Sequence, residues 1–248
     1  MIEIDNLHKQ LAGKDVLRGV SLRVEKGEFI ALIGQSGCGK SVLLKHIAGL
    51  MQPDHGRILI DGEDISTARG RDLERIRSRY GFVFQNGALF DSMTVYDNLA
   101  FPLREKTRLN EETIKEKIAQ GLEQVGLKEI ESLYPSQLSG GMTKRTALAR
   151  ALVMEPEIIF FDEPTTGLDP IIASTILELF NTCHEQLNLT GIIVSHQVPD
   201  IFQIVQKVGM LHEGKMITAE IKNGEIKTDN PIIQQFVEGR VDGPVQYK

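Results

Sequence analysis

Tryptophan is absent from the sequence, and no phenylalanine or tyrosine precedes Phe29. The amino-terminal segment therefore offers no ring on which a flat ligand could stack. Cysteine is scarce: Cys38 and Cys183 are the only two, too few for a disulfide framework, and both read as reduced cytosolic thiols. The six histidines show no metal-ligand spacing. Positive charge is in deficit, with a formal net charge of −6, so the basic footprint of a nucleic-acid-binding protein is missing. The arginines from Arg69 to Arg79 are interleaved with Asp72 and Glu74 at helical spacing, which reads as a solvated helix face. No apolar run approaches the length of a membrane span. Met1–Asp5 also lacks the charged start and apolar core of a signal peptide. Any role at a membrane would be exercised from the cytoplasmic side through a partner.

What the sequence does contain is Gly34-Gln35-Ser36-Gly37-Cys38-Gly39-Lys40-Ser41, preceded by the apolar run Phe29–Ile33 and followed by the helical pattern Val42–Ala48. Strand, then G-x-x-x-x-G-K-S, then helix is the context of a phosphate-binding loop. The glycines let backbone N–H groups converge on phosphate oxygens, and the helix N-terminus adds partial positive charge. Lys40 is placed to reach the β- and γ-phosphates, and the Ser41 hydroxyl to ligate Mg²⁺. A glycine-rich turn merely joining strand to helix would not need all the fixed positions at this spacing.

The 248 residues suffice for one large domain or a core with an attached lobe. Residues 1–33 alternate and break as β-structure does, and Arg57–Ile60 before Asp61-Gly62 reads as a hairpin strand. Arg69–Arg79 reads as a short helix and Gly81–Phe84 as a buried strand ending at Gln85. From Thr94 to about Leu133 the pattern becomes amphipathic helices broken by Pro102 and Gly126, the main part of a helical lobe spanning about 94–155 and inserted into an α/β core. Strand–helix alternation resumes with Ile158–Phe161, a helix over about 171–187, a strand at Gly191–Val194, a helix near 199–206, and strands at 207–212 and 215–221. A short helix at Ile232–Val237 and a Gly/Pro-containing tail follow.

Four further groups carry candidate chemistry. Ile158–Glu163 is an apolar strand ending in two acids, delivered at the carboxyl edge where α/β sheets bind ligands. Asp162 suits Mg²⁺ and Glu163 suits a general base acting on water. Ser139, Gly140 and Gly141 precede a strong helical pattern, so Ser139 can cap that helix while the glycines admit an anion. His196 follows a strand and could sense a γ-phosphate. Gln85, also at a strand end, could touch both Mg²⁺ and an attacking water. Singly, each has a bland reading as a turn, cap or loop residue.

In order and rough spacing, the phosphate loop, Gln85, Leu138–Gly141, Ile158–Glu163, Gly167–Pro170 and His196 resemble the ATPase subunit of ABC transporters. The resemblance spans residues 1 to about 222, leaving 223–248 as a C-terminal helix and extended tail. It implies a P-loop α/β core with an amino-terminal antiparallel β subdomain and an inserted α-helical subdomain. It also implies a head-to-tail dimer with ATP and Mg²⁺ held between the Lys40 loop of one copy and the Ser139 helix of the other. The region from Gln85 into the helical lobe resembles the groove that receives a coupling helix from an integral-membrane permease. Two departures stand out: Met142 replaces the usual glutamine after Leu-Ser-Gly-Gly, and Leu11 occupies the place of the usual adenine-stacking aromatic.

Within that family, Leu138–Arg145, Asn98–Arg104 and the tail Val241–Val245 resemble the ATPases of Mla-type intermembrane phospholipid transporters, relatives of Mce-type lipid importers. This narrower resemblance implies a peripheral protein on the cytoplasmic face of the inner membrane. Its partners would be a lipid permease, a STAS-domain protein and a membrane-anchored periplasmic lipid-binding protein. The tail is expected to embrace the second subunit or the STAS partner. An ATPase for another solute importer, or a soluble ABC ATPase working as a mechanical clamp, remain the alternatives.

Overall fold

The computed structural model describes residues 1–196, 198 and 200–245. Along the chain run β1 (Ile2–Leu11), β2 (Lys14–Val24), β3 (Phe29–Ile33), α1 (Lys40–Ile47), β4 (His55–Ile60), β5 (Glu63–Asp64), α2 (Gly70–Arg77) and β6 (Tyr80–Val83). Next come α3 (Val95–Lys106), α4 (Glu111–Gln124), α5 (Gly140–Leu152), β7 (Ile158–Asp162), α6 (Pro170–Leu187) and β8 (Thr190–Val194). The chain closes with β9 (Lys207–His212), β10 (Lys215–Lys222), β11 (Glu225–Lys227) and α7 (Pro231–Glu238). These elements form two compact units, one of Met1–Arg77 with Thr190–Lys248 and one of Ser78–Leu189.

In the first unit, β2, β1, β4 and β5 make an antiparallel sheet in that order. Alternation along β1 and β2 buries Ile2, Ile4, Leu7, Val20, Leu22 and Val24 on its inner side. The second sheet of this unit sets β3 between parallel neighbours, β8 on one side and β9 on the other. A strand covered on both faces must be apolar throughout, and all five residues of β3 are buried. Gly191 is required where β8 passes β3, because a Cβ there would stand 2.1 Å from the Phe29 ring. The antiparallel strands β10 and β11 extend this sheet from β9.

That hairpin carries the sheet beyond residue 222. Asn223 and Gly224 both take positive φ, 55° and 73°, as a two-residue hairpin turn demands. The helix expected near 199–206 is a single 3₁₀ turn, Asp200–Gln203, among the described residues, and Pro199 lies outside them. Ile201, Phe202, Ile204 and Val205 are all buried, so packing rather than helical periodicity sets this connection. In α7, the buried Gln235 turns its amide onto the tail: Oε1 accepts from Val245 N–H at 2.7 Å and Nε2 donates to Val245 O at 2.9 Å. The tail up to Val245 thus folds back on its own helix.

In the second unit β6 and β7 are parallel, with Tyr80 opposite Ile158 and Val83 opposite Phe161. Phe160 is fully buried, with the Tyr80 and Phe82 rings at 5.2 and 4.9 Å, and Phe161 packs on Phe180 at 4.3 Å. Thr94 and Asn110 cap α3 and α4 through side-chain oxygens. Pro102 does not break α3, contrary to the sequence pattern; the helix runs on to Lys106. Buried Leu99 and Leu103 on either side of it supply the packing that outweighs one lost backbone bond. Gly126, at φ 67°, does stand where α4 ends.

Candidate active site

The phosphate loop leaves the carboxyl end of β3 in the first unit. Gly34 (φ 142°) admits no side chain, since a Cβ would lie 2.5 Å from the Leu211 carbonyl oxygen on β9. Gly39 (φ 109°) begins α1 without any side-chain cap, so the first N–H groups of that helix are directed at the space an anion would fill. Lys40 is 7% exposed, and its ammonium donates to Gly34 O at 2.8 Å and Gln35 O at 2.9 Å. Those bonds span the loop and hold its curvature. Burial pushes the Cys38 thiol up, with Lys40 opposing, so the thiol stays protonated at neutral pH and inert. Ser41 is exposed on the first turn of α1.

A cavity of about 520 Å³ borders the loop, with Gln35–Cys38 on one side and Lys14, Asp15, Val16 and Arg18 on another. No aromatic residue contributes to its wall, and neither does Leu11, which pairs with Lys14 at the end of β1. The aliphatic surface beside the loop is Val16, whose Cγ1 would be 2.7 Å from a Cβ on Gly39. His196 follows β8, where Val194 is level with Leu32 and Ser195 N–H donates to Leu32 O at 3.2 Å. It therefore emerges at the same edge of this sheet as the phosphate loop.

In the second unit, parallel pairing of β6 and β7 brings Gln85, Asp162 and Glu163 out at one sheet edge. Asp162 is the last residue of β7. Glu163 takes a left-handed φ of 49°, a cost of about 1–3 kcal/mol that concentrates at functional positions. Its carboxylate Oε2 accepts from the Thr166 hydroxyl at 3.3 Å. Ser139 caps α5 by accepting from Met142 N–H at 3.3 Å. A Cβ on Gly140 or Gly141 would come 3.2 Å from Leu168 or Ile172, so small residues here keep the helix start close to the start of α6.

Two residues passed over in sequence reasoning also hold the loop that begins at Gln85. Lys144 donates to the Gln85 carbonyl, and Arg150 to the carbonyls of Gly87 and Ala88 at 2.9 and 2.7 Å. The one available signal was that the residues one helical turn on from Lys144, Ala147 and Leu148, are apolar.

Within the second unit, Gln85 and Asp162 present an amide oxygen and a carboxylate at one sheet edge, both of the hard-oxygen kind that Mg²⁺ takes. No group of three or more His, Cys, Asp or Glu side chains placed to hold a metal ion occurs among the described residues.

Residues 17–166 match the ABC transporter family. The chain belongs to that family. Over its whole length this ABC ATPase is 42% identical to the intermembrane phospholipid transport system ATP-binding protein MlaF of Haemophilus influenzae, covering 94% of that protein. It is 41% identical over 98% of its length to a Mycobacterium leprae protein named "probable ribonucleotide transport ATP-binding protein", covering 70% of the relative. Among solved structures, a dimeric ATP-binding cassette in a post-hydrolysis state with ADP and phosphate matches 90% of the chain at 30% identity, with a TM-score of 0.81. The α/β cassette fold implied by the motifs is thereby shown, and with it ATP hydrolysis as the activity of the ABC ATPase. No helix among the described residues is long and apolar enough to cross a membrane.

Proposed function

We propose that this ABC ATPase powers a phospholipid transporter, working as a peripheral subunit on the cytoplasmic face of an inner membrane. Full-length identity to a protein named for intermembrane phospholipid transport carries that reading. Two copies would lie head to tail, each ATP held between the Lys40 loop of one and the Ser139 helix of the other. The uncapped start of α1 and the Gly140-Gly141 start of α5 support this as two separate anion-binding surfaces. Glu163 polarises the attacking water, Gln85 orients it, and His196 hydrogen-bonds the γ-phosphate. Mg²⁺ held by Ser41, Asp162 and Gln85 would neutralise charge developing on the phosphates. Both phosphate surfaces are satisfied only in the closed dimer, so loss of the γ-phosphate removes the affinity that keeps it closed.

The permease would be felt through a groove of about 330 Å³ in the second unit. Phe84, Phe90 and Phe101 line it and stay 41, 44 and 38% exposed, an apolar concavity suited to an inserted helix. Such a groove favours a membrane transporter over a soluble clamp. A STAS-domain protein and a membrane-anchored periplasmic lipid-binding protein complete the expected assembly.

The test is purification of the tagged chain from detergent-solubilised membranes. Recovery with a permease, a STAS protein, a ring-forming anchored protein and phospholipid is the expected result. A permease with one solute-binding protein would overturn the lipid assignment in favour of another importer. Recovery from the soluble fraction alone would overturn the transporter reading.

Base selectivity offers a second check. With Val16 and flexible cations walling the cavity and no ring available, binding is dominated by phosphates. ATP and GTP dissociation constants are expected to differ by less than about tenfold, or about 1.4 kcal/mol. A larger ratio in a competition titration would show that the base is read by groups outside this wall.

A further inference from the structure

Lys144 is 5% exposed, and among the described residues its ammonium has one partner, the main-chain carbonyl of Gln85. Among the described residues no carboxylate offsets the burial, and burial lowers its pKa. Burying an ammonium without a counter-ion is costly, and an apolar side chain would fill the same place in α5 without that cost. What the ammonium adds is a charge-assisted bond to one particular carbonyl. That bond does not stand alone. Arg150 holds the carbonyls of Gly87 and Ala88 from the same helix. Gly87 (φ 72°), one of the residues so held, lies so close to the helix that a Cβ would be 3.1 Å from Thr143 Cγ2 and 3.5 Å from Ala147 Cβ. The loop 85–88 is therefore laid along one face of α5, the helix that Ser139 caps.

We propose that Lys144 is a positioning residue that links the two ATP sites of the dimer, by tying the backbone of Gln85 to the helix that begins at Ser139. The inference rests on the head-to-tail reading above. In that arrangement Ser139 of a subunit addresses the nucleotide bound by the other copy, while Gln85 serves the nucleotide bound by its own. Capture of one γ-phosphate moves or steadies α5, and the Lys144 bond passes that change to Gln85 at the second site. Arg150 carries the same helix into the wall of the aromatic groove, so groove, loop and helix start form one mechanical piece. A helix is stiff over this length, and displacements near 1 Å at a catalytic group are worth about a hundredfold in rate.

The experiment is ATPase rate against ATP concentration for the full-length protein in its membrane-derived complex, as wild type, Lys144→Met and Lys144→Arg, with nucleotide binding measured separately. Lys144→Met keeps the packing stem and removes the donor. It is expected to lower kcat by about ten- to a hundredfold, leave nucleotide affinity within about twofold, and drop the Hill coefficient from near 2, the number of coupled sites, to near 1. Lys144→Arg, which retains a donor, is expected to recover both. A wild-type kcat and Hill coefficient in Lys144→Met would overturn the proposal. So would equal loss of nucleotide binding in both variants, which would mean packing alone. If Lys144→Met does not fold, Gly87→Ala lifts the loop from the other side of the contact and must show the same loss of cooperativity, or the proposal fails. Wild-type protein that turns over ATP with a Hill coefficient near 1 would sink the coupling alone. Wild-type protein that neither binds nor hydrolyses ATP would sink the functional reading as well.

Discussion

Glu163→Gln is expected to bind ATP and fail to turn it over, with kcat reduced by about 10²–10⁴-fold. That loss corresponds to about 3–5 kcal/mol of barrier. The glutamine is nearly isosteric, so the left-handed backbone at this position, φ 49°, and the contact from the Thr166 hydroxyl both have room to persist. What disappears is the ability to accept a proton from water. Because the γ-phosphate then stays in place, the dimer is expected to remain closed, and ATP should shift the variant to twice its monomer mass on size exclusion. Normal turnover would remove Glu163 from the role of base. A variant that neither hydrolyses nor dimerises would place Glu163 in binding instead.

Lys40→Met is the second large effect, and it acts a step earlier. The ammonium would meet the β- and γ-phosphates, and each charge-assisted bond contributes about 1.5–3 kcal/mol. Losing two such bonds weakens ATP binding by more than about a hundredfold. The same ammonium also spans the loop, bonded to Gly34 O and Gln35 O. Its removal leaves those carbonyls short of a donor and costs about 1–3 kcal/mol of local order. Calorimetric titration should show binding lost, with thermal unfolding lowered by about 2–12 °C, since about 1 kcal/mol moves Tm of a chain this size by about 2–4 °C. Retained micromolar binding would show that backbone N–H groups and the α1 terminus hold the phosphates without Lys40.

How much of this was legible depended on the range of the interactions involved. The phosphate loop is a local object: Phe29–Ile33, the glycines and α1 adjoin in the chain, and the conformations they need are written in adjacent residue types. Ser139 as a cap, the strand that ends in Asp162, and α6 from Pro170 are legible for the same reason. Asn223-Gly224 is equally local, since the two adjacent residue types admit the positive φ values that the turn between β10 and β11 needs. The 3₁₀ turn at Asp200–Gln203 was not legible, because the buried Ile201 and Phe202 within it and Ile204 and Val205 after it satisfy a helical pattern as well as a packed connection. Pro102 inside α3 shows the same limit, since a local rule predicts a break and tertiary packing overrides it.

From residue types and spacing alone came the phosphate loop and the candidate base, and the resemblance of the combined motifs pointed to the ABC ATPase family. Only the tertiary structure decided that Gln85 and Glu163 share a sheet edge, because strand register is fixed by contacts far apart in the chain. It alone revealed that Val16 rather than Leu11 borders the loop cavity. It alone placed Lys144 on the carbonyl of Gln85, 59 residues away. A lysine in a helix is ordinarily a solvated charge; what makes this one a constraint is burial against a backbone carbonyl, and burial is a property of the folded chain.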